Sequence, residues 1–123
     1  KQLDKHNEIR RDNFDVFANG LNKDKFYTDF KLEGNSSFCF PVITKSTRGD
    51  TLALRKYLES QGVETRPIIA GNLYEHPFMD RVNQYRHDKN AKVIHQNGFY
   101  IGNNHAVDVG DVTWLVERLN SEK

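Results

Sequence analysis

Two prolines stand inside runs that otherwise read as β-strand, and they limit how any sheet in this chain can be built. Pro41 interrupts Ser37-Phe38-Cys39-Phe40-Pro41-Val42-Ile43-Thr44, and Pro67 sits within Val63-Glu64-Thr65-Arg66-Pro67-Ile68-Ile69. Proline has no amide hydrogen to give to a ladder, so it belongs at a sheet edge or at a bend. The first run is therefore an edge strand or one bent at the proline, and the second takes an edge. Alternation along residues 63–69 puts Glu64, Arg66 and Ile68 on one face and Val63, Thr65 and Ile69 on the other. A third strand is expected at Phe99-Tyr100-Ile101.

Helical spacing separates these strands. Ile9, Phe14, Phe17 and Leu21 form a loose apolar stripe over residues 1–21, with Lys5, Glu8 and Arg11 toward solvent and Gly20 and Asn22 as stop signals. Asp50 is a suitable N-cap for a helix over residues 51–61 that carries Leu54, Tyr57, Leu58 and Gln61 on one face and is closed by Gly62. Asn90 is placed to cap a short helix through Gln96. Val112, Leu115, Val116 and Leu119 recur at the i, i+3, i+4, i+7 positions of a final helix, with Trp114 beside them and Asp108 and Asp111 at its positive end. Residues 22–35 read as irregular, anchored by Phe26, Tyr27 and Phe30, and residues 79–89 as a surface connection. The order is helix, strand, helix, strand, short helix, strand, helix. This specifies an α+β sandwich of a small antiparallel sheet with helices on one face.

At 123 residues the chain is one domain with a single modest core. A net charge of +1 leaves no basic footprint for nucleic acid. No apolar run is long enough to span a bilayer as a helix. The single cysteine, Cys39, lies between two phenylalanines and reads as a small buried hydrophobe in a reducing cytoplasm. The five histidines show no Cys-x-x-Cys, His-x-x-x-His or His-Glu-x-x-His spacing, so no metal site is expected. There is no glycine-rich phosphate loop and no Gly-x-Ser-x-Gly elbow.

Polar candidates concentrate in residues 62–78. Arg66, stiffened by Pro67, can grip a phosphate or sugar oxygen through two parallel hydrogen bonds, or can form an ion pair with Glu64 or Glu75. Asn72 can offer its amide to a hydroxyl, or serve only as a turn residue after Gly71. His76, held extended by Pro77, is a hydrogen-bond donor or general acid, or a surface histidine. Asn103, Asn104 and His105 make a polar tip that reaches toward a neighbouring subunit or simply turns the chain. Tyr74, Phe78, Tyr85 and Phe99 can stack on a base or fill a core.

Ser37-Phe38-Cys39-Phe40-Pro41, Thr65-Arg66-Pro67-Ile68-Ile69-Ala70-Gly71-Asn72-Leu73 with His76-Pro77, and the stretch Asn90-Ala91-Lys92-Val93-Ile94-His95-Gln96-Asn97-Gly98-Phe99-Tyr100-Ile101-Gly102-Asn103 occur in this order. Together they resemble the C-terminal domain of the pyridoxal-phosphate-dependent nucleotide-sugar aminotransferase and dehydratase family, leaning to the 3-dehydratase branch. The resemblance implies a linking helix over residues 1–21 and a small α+β domain over 22–123. The cofactor, pyridoxal or pyridoxamine phosphate (PLP or PMP), would be held by a large domain absent from this chain. That domain would carry the cofactor-anchoring lysine of the aminotransferases, or the histidine that replaces it in the 3-dehydratases. It further implies a cytoplasmic homodimer acting on a nucleotide-linked 4-keto sugar for lipopolysaccharide O-antigen. Arg66, Asn72, His76 and Asn103 would contact substrate, with no catalytic, cofactor-binding or metal-binding residue in this part. By itself the part would be inactive. The rival reading is an autonomous, non-enzymatic α+β module that binds a ligand or partner. A domain made to be covered should expose an apolar patch, expected around Phe14 and Phe17, whereas a stand-alone module should be capped.

Overall fold

The computed structural model describes residues 1–81 and 88–121. Four helices, α1 (Gln2–Gly20), α2 (Arg48–Ser60), α3 (Lys89–Asn97) and α4 (Val109–Ser121), accompany three strands, β1 (Cys39–Ile43), β2 (Arg66–Pro67) and β3 (Gly98–Gly102). The sheet is antiparallel in the order β1-β3-β2. Both proline-bearing strands lie at its edges, and β3, which has no proline, supplies the central ladder. Expected as a seven-residue strand, β2 keeps only two residues. Thr65 turns inward to accept from Arg55 Nε at 3.0 Å and donate to Glu59 at 2.8 Å, so the entry to the strand is tied to α2. Beyond Pro67 the expected alternation also ends, since Ile69 is 83% exposed.

Pairing of Phe40 with Ile101 and of Val42 with Phe99 puts all four side chains on one sheet face. Against that face pack Phe14 and Phe17 of α1, Leu54 and Leu58 of α2, and Val112, Leu115, Val116 and Leu119 of α4. The Phe17 and Phe40 rings meet with centroids 4.8 Å apart. Phe14 and Phe17 are therefore core residues, only 2% and 0% exposed, and the apolar patch expected around them is absent. Leu21 is buried with them, whereas Tyr27 remains exposed.

Helix ends show which local chemistry set the boundaries. The α2 helix starts three residues before the expected position because Thr47, not Asp50, is the N-cap: its hydroxyl accepts from the Asp50 amide at 3.1 Å, and the Asp50 carboxylate reaches back to Thr47. Ser46 donates to the same carboxylate. Likewise Asp88, not Asn90, caps α3 by accepting from the Ala91 amide at 3.0 Å. At the far end of α1, Asn120 of α4 donates to Gly20 O at 2.8 Å and accepts from Asn22 N at 2.7 Å. A Cβ on Gly20 would stand 2.9 Å from Val116 Cγ1, so glycine is what allows α1 and α4 to approach so closely.

A buried amide network joins the elements. Asn103, 1% exposed at the end of β3, donates through Nδ2 to Ser37 O at 2.8 Å and to Arg10 O at 3.0 Å. Its Oδ1 accepts from Asn13 Nδ2 at 3.2 Å, and Asn13 also donates to Val107 O at 2.8 Å. Its main-chain amide extends the ladder to Phe38 O at 2.9 Å. Ser37, with φ of 51, is held in the left-handed region by a hydrogen bond that its main-chain N–H donates to Asn35 Oδ1 at 2.7 Å.

Two outcomes follow from this architecture. Asn103→Ala leaves two carbonyls and one amide without their buried partner, so chemical denaturation should show a loss of about 3 kcal/mol. Hydrogen bonds from Ser46 and then Thr47 hold the Asp50 carboxyl below its ordinary value of 3.8. A carboxyl depressed by folding binds fewer protons in the native state, so its stabilisation is complete above that ordinary value. It is lost as the pH falls through the lower native value. In melts across a pH series, Asp50→Asn should lower stability at neutral pH and flatten the acid limb.

Candidate functional site

Arg66 pairs across the ladder with Tyr100, which places it on the sheet face opposite the helices. Phe38 lies against the Tyr100 ring on its edge, with centroids 6.2 Å apart. The guanidinium, 63% exposed, is bonded to Glu64, itself 74% exposed. Of the two readings available from sequence, the ion pair is the one present in the free chain. Exposed pairs of this kind contribute only about 0–1 kcal/mol, so Glu64 can be exchanged for a ligand oxyanion at little cost.

The chain then turns at Gly71, which has φ of +72 and no room for a Cβ, because the His95 ring lies against it. Buried Asn72 follows. Its amide donates to His95 Nδ1 at 3.0 Å, and its Oδ1 accepts from Tyr74 N at 3.2 Å, capping a single 3-10 turn over Leu73–Glu75. Because Nδ1 accepts, the ring proton of neutral His95 resides on Nε2, which faces Glu75 Oε2 at 3.7 Å. Asn72 Nδ2 has no hydrogen-bond partner among the described residues. His76 Nε2 lies 2.7 Å from Ala70 O and its ring packs on Phe78, closing residues 70–76 into a loop.

Arg66 and the Asn72–His76 loop thus follow one another directly, offering a fork of N–H donors and an uncommitted amide. The third member of this unit, His95, is bonded across 23 residues of sequence. Sequence reasoning missed it, and the glycine preceding Asn72 was its only local signal. Asn103 is not brought to this group. Both of its amide hydrogens are taken by carbonyls of α1 and the β1 approach, so the polar tip is fastened to the chain's own α1. His105 continues that docking by stacking on His6, with ring centroids 3.9 Å apart. Phe99 is core, Tyr74 and Phe78 are exposed, and Tyr85 falls outside the described residues. Cys39 is half-buried and burial pushes its thiol pKa up, which suits packing rather than nucleophilic attack.

A lysine that anchors PLP must be withdrawn from water so that its amine is free to react. None of the described lysines is buried, and the buried polar side chains are Asn, Ser and Thr. The residues present therefore do not fit the anchoring of PLP. Among the described residues no group of three or more His, Cys, Asp or Glu is placed to hold a metal ion. No described helix is long and apolar enough to cross a membrane.

Comparison with known proteins gives this geometry a setting. The chain is 32% identical over 128 residues to GDP-4-keto-6-deoxy-D-mannose 3-dehydratase of Escherichia coli O55:H7, covering 97% of this chain and 32% of that protein. It is also 32% identical over 117 residues to the Yersinia pseudotuberculosis protein of the same name, covering 90% of this chain and 29% of the other. Among solved structures, the E. coli dehydratase with bound hydrated PLP shares the fold at a TM-score of 0.76 and 24% identity, over 92% of this chain and 30% of that one. A variant GDP-4-keto-6-deoxymannose-3-dehydratase with bound GDP-perosamine aligns at a TM-score of 0.72 and 26% identity, over 92% and 31% of the two chains. The chain spans about a third of the length of the curated relatives it matches. The profile of the DegT/DnrJ/EryC1/StrS aminotransferase family matches residues 1–120, and the chain belongs to that family.

Proposed function

We propose that this chain is the C-terminal domain of a PLP- or PMP-dependent enzyme that removes the 3-hydroxyl from a GDP-linked 4-keto-6-deoxy sugar. The observation that carries the reading is its alignment, over nearly its whole length, with two proteins named as that dehydratase. The aminotransferase branch of the same family is the alternative chemistry, and a lysine or a histidine at the anchoring position of the large domain separates the two. Residues 1–21 link the domains, and residues 22–123 form the small domain. When bound in the large domain, the cofactor supplies the electron sink for loss of the hydroxyl.

In this reading the chain's own part is to bind, orient and exclude water. The Arg66 fork exchanges Glu64 for a phosphate or sugar oxygen, and the free Nδ2 of Asn72 donates to a sugar hydroxyl. His76 keeps the loop closed by its bond to Ala70 O. Asn103 acts only by holding the end of β3. Phe38, just before β1, and Ile69, Leu73 and Phe78, after β2, are exposed apolar side chains. They suit burial against the large domain and a second subunit of a homodimer. A cytoplasmic role in making lipopolysaccharide O-antigen is consistent with such a substrate.

In the longer chain that carries both domains, Arg66→Ala removes a charge-assisted contact worth about 1.5–3 kcal/mol. Steady-state kinetics should show KM for the sugar nucleotide rising roughly 10- to 100-fold with kcat much less changed, because the contact is made equally before and during reaction. An unchanged KM would remove Arg66 from the substrate site.

A further inference from the structure

The inward stripe of α1 runs His6, Arg10, Asn13, Phe17, spaced four, three and four residues apart. Asn13 and Phe17 are buried in the domain. One and two turns earlier, Arg10 and His6 meet the segment that follows β3. Arg10 O is bonded to Asn103 at 3.0 Å, and the His6 ring is stacked on His105 with planes only 11° apart. The Arg10 Nε–H is buried and has no hydrogen-bond partner. Three other arginines are engaged: Arg55 with Thr65, Arg66 with Glu64, and Arg118 over Trp114. No ion pair to Arg10 is present among the described residues.

Charge makes the same point. His6 is held below its ordinary pKa first by loss of water around the ring, then by repulsion from His105, Arg10 and Lys5. His6, His105 and Arg10 therefore lie together with no ion pair among the described residues, beside a buried donor that native structures rarely leave orphaned unless a water or ion belongs there.

We propose that Arg10, His6 and His105 form a binding site for a phosphate-class oxyanion, separate from Arg66, Asn72 and His76. The guanidinium edge offers Nε–H beside Nη–H, the arrangement that grips two oxygens of one anion. The stacked imidazoles, from two different segments, add further N–H donors for the remaining oxygens of a tetrahedral group. A planar carboxylate would be used up by the guanidinium alone. An anion here also reverses the repulsion, since an opposite charge within a few ångströms favours the protonated rings.

The test follows the ring C–H signals of His6 and His105 by proton NMR in the full 123-residue chain, titrated between about pH 5 and 8 at matched ionic strength in chloride, acetate, inorganic phosphate or glycerol phosphate. Phosphate is expected to raise the His6 midpoint by about one unit over chloride, and Arg10→Gln and His105→Gln are each expected to abolish that rise. His105 is exposed, so the second variant keeps the test valid if the first disturbs folding. A response to both phosphates assigns the site to the phosphoryl group of a larger molecule. A response to inorganic phosphate alone assigns it to the free ion. Identical midpoints in chloride and phosphate, an equal rise in acetate, or a rise that survives both substitutions overturns the proposal.

Discussion

The two amide hydrogens of Asn103 hold this domain together. A three-stranded sheet with prolines at both edges has little ladder of its own, and β2 contributes only two residues to it. What makes it one face of a core is the docking of α1, and that docking is specified at Asn103, where the end of β3 bonds to Arg10 O, to Ser37 O and to the Asn13 side chain. Apolar contact between Phe17 and Phe40 supplies the driving force, but it is nondirectional. The amide network selects one register for the helix, because any slip would strand several buried polar groups.

With the inner face completed in this way, the outer face is left uncovered by the helices. Arg66 and Tyr100 are presented there on paired strands, with Phe38, just before β1, against the Tyr100 ring, which fixes their spacing while leaving them open to contact. The Asn72 loop is built differently: its shape comes from Gly71, from His95 and from the cap that Asn72 itself provides. Most of the polar contacts of that loop are internal, so it can approach a substrate without first being ordered by it. In the function proposed above, this chain supplies rigid walls and proton transfer takes place elsewhere.

Much of this was legible from periodicity. The α4 stripe, the inward side of α1 and the edge placement forced by Pro41 and Pro67 rest on local rules that act within a few residues. Boundaries were less legible where two caps competed: Asp50 and Asn90 are both good capping residues, but Thr47 and Asp88 lie where the first amides can be reached. The site residues divide in the same way. Arg66 and Thr65 point to opposite sides as alternation requires. Asn103 looked like part of an exposed tip because its partners Arg10 and Asn13 lie about ninety residues away in sequence. The Asn72–His95 bond was hidden for the same reason. Long-range hydrogen bonds leave no periodic mark, and only the ordered resemblance to a family hinted that these segments meet.

The central claim is that α1 folds as part of the same cooperative unit as the sheet, fastened at Asn103. Native-state hydrogen exchange measures this directly, by comparing the opening free energies of the Phe14 and Phe17 amides in α1 with that of the Asn103 amide beside β1. The account predicts that all three open together in the global unfolding of the domain. Exchange through α1 at a much lower free energy, while the Asn103 amide stays protected, would show a detachable helix and contradict it.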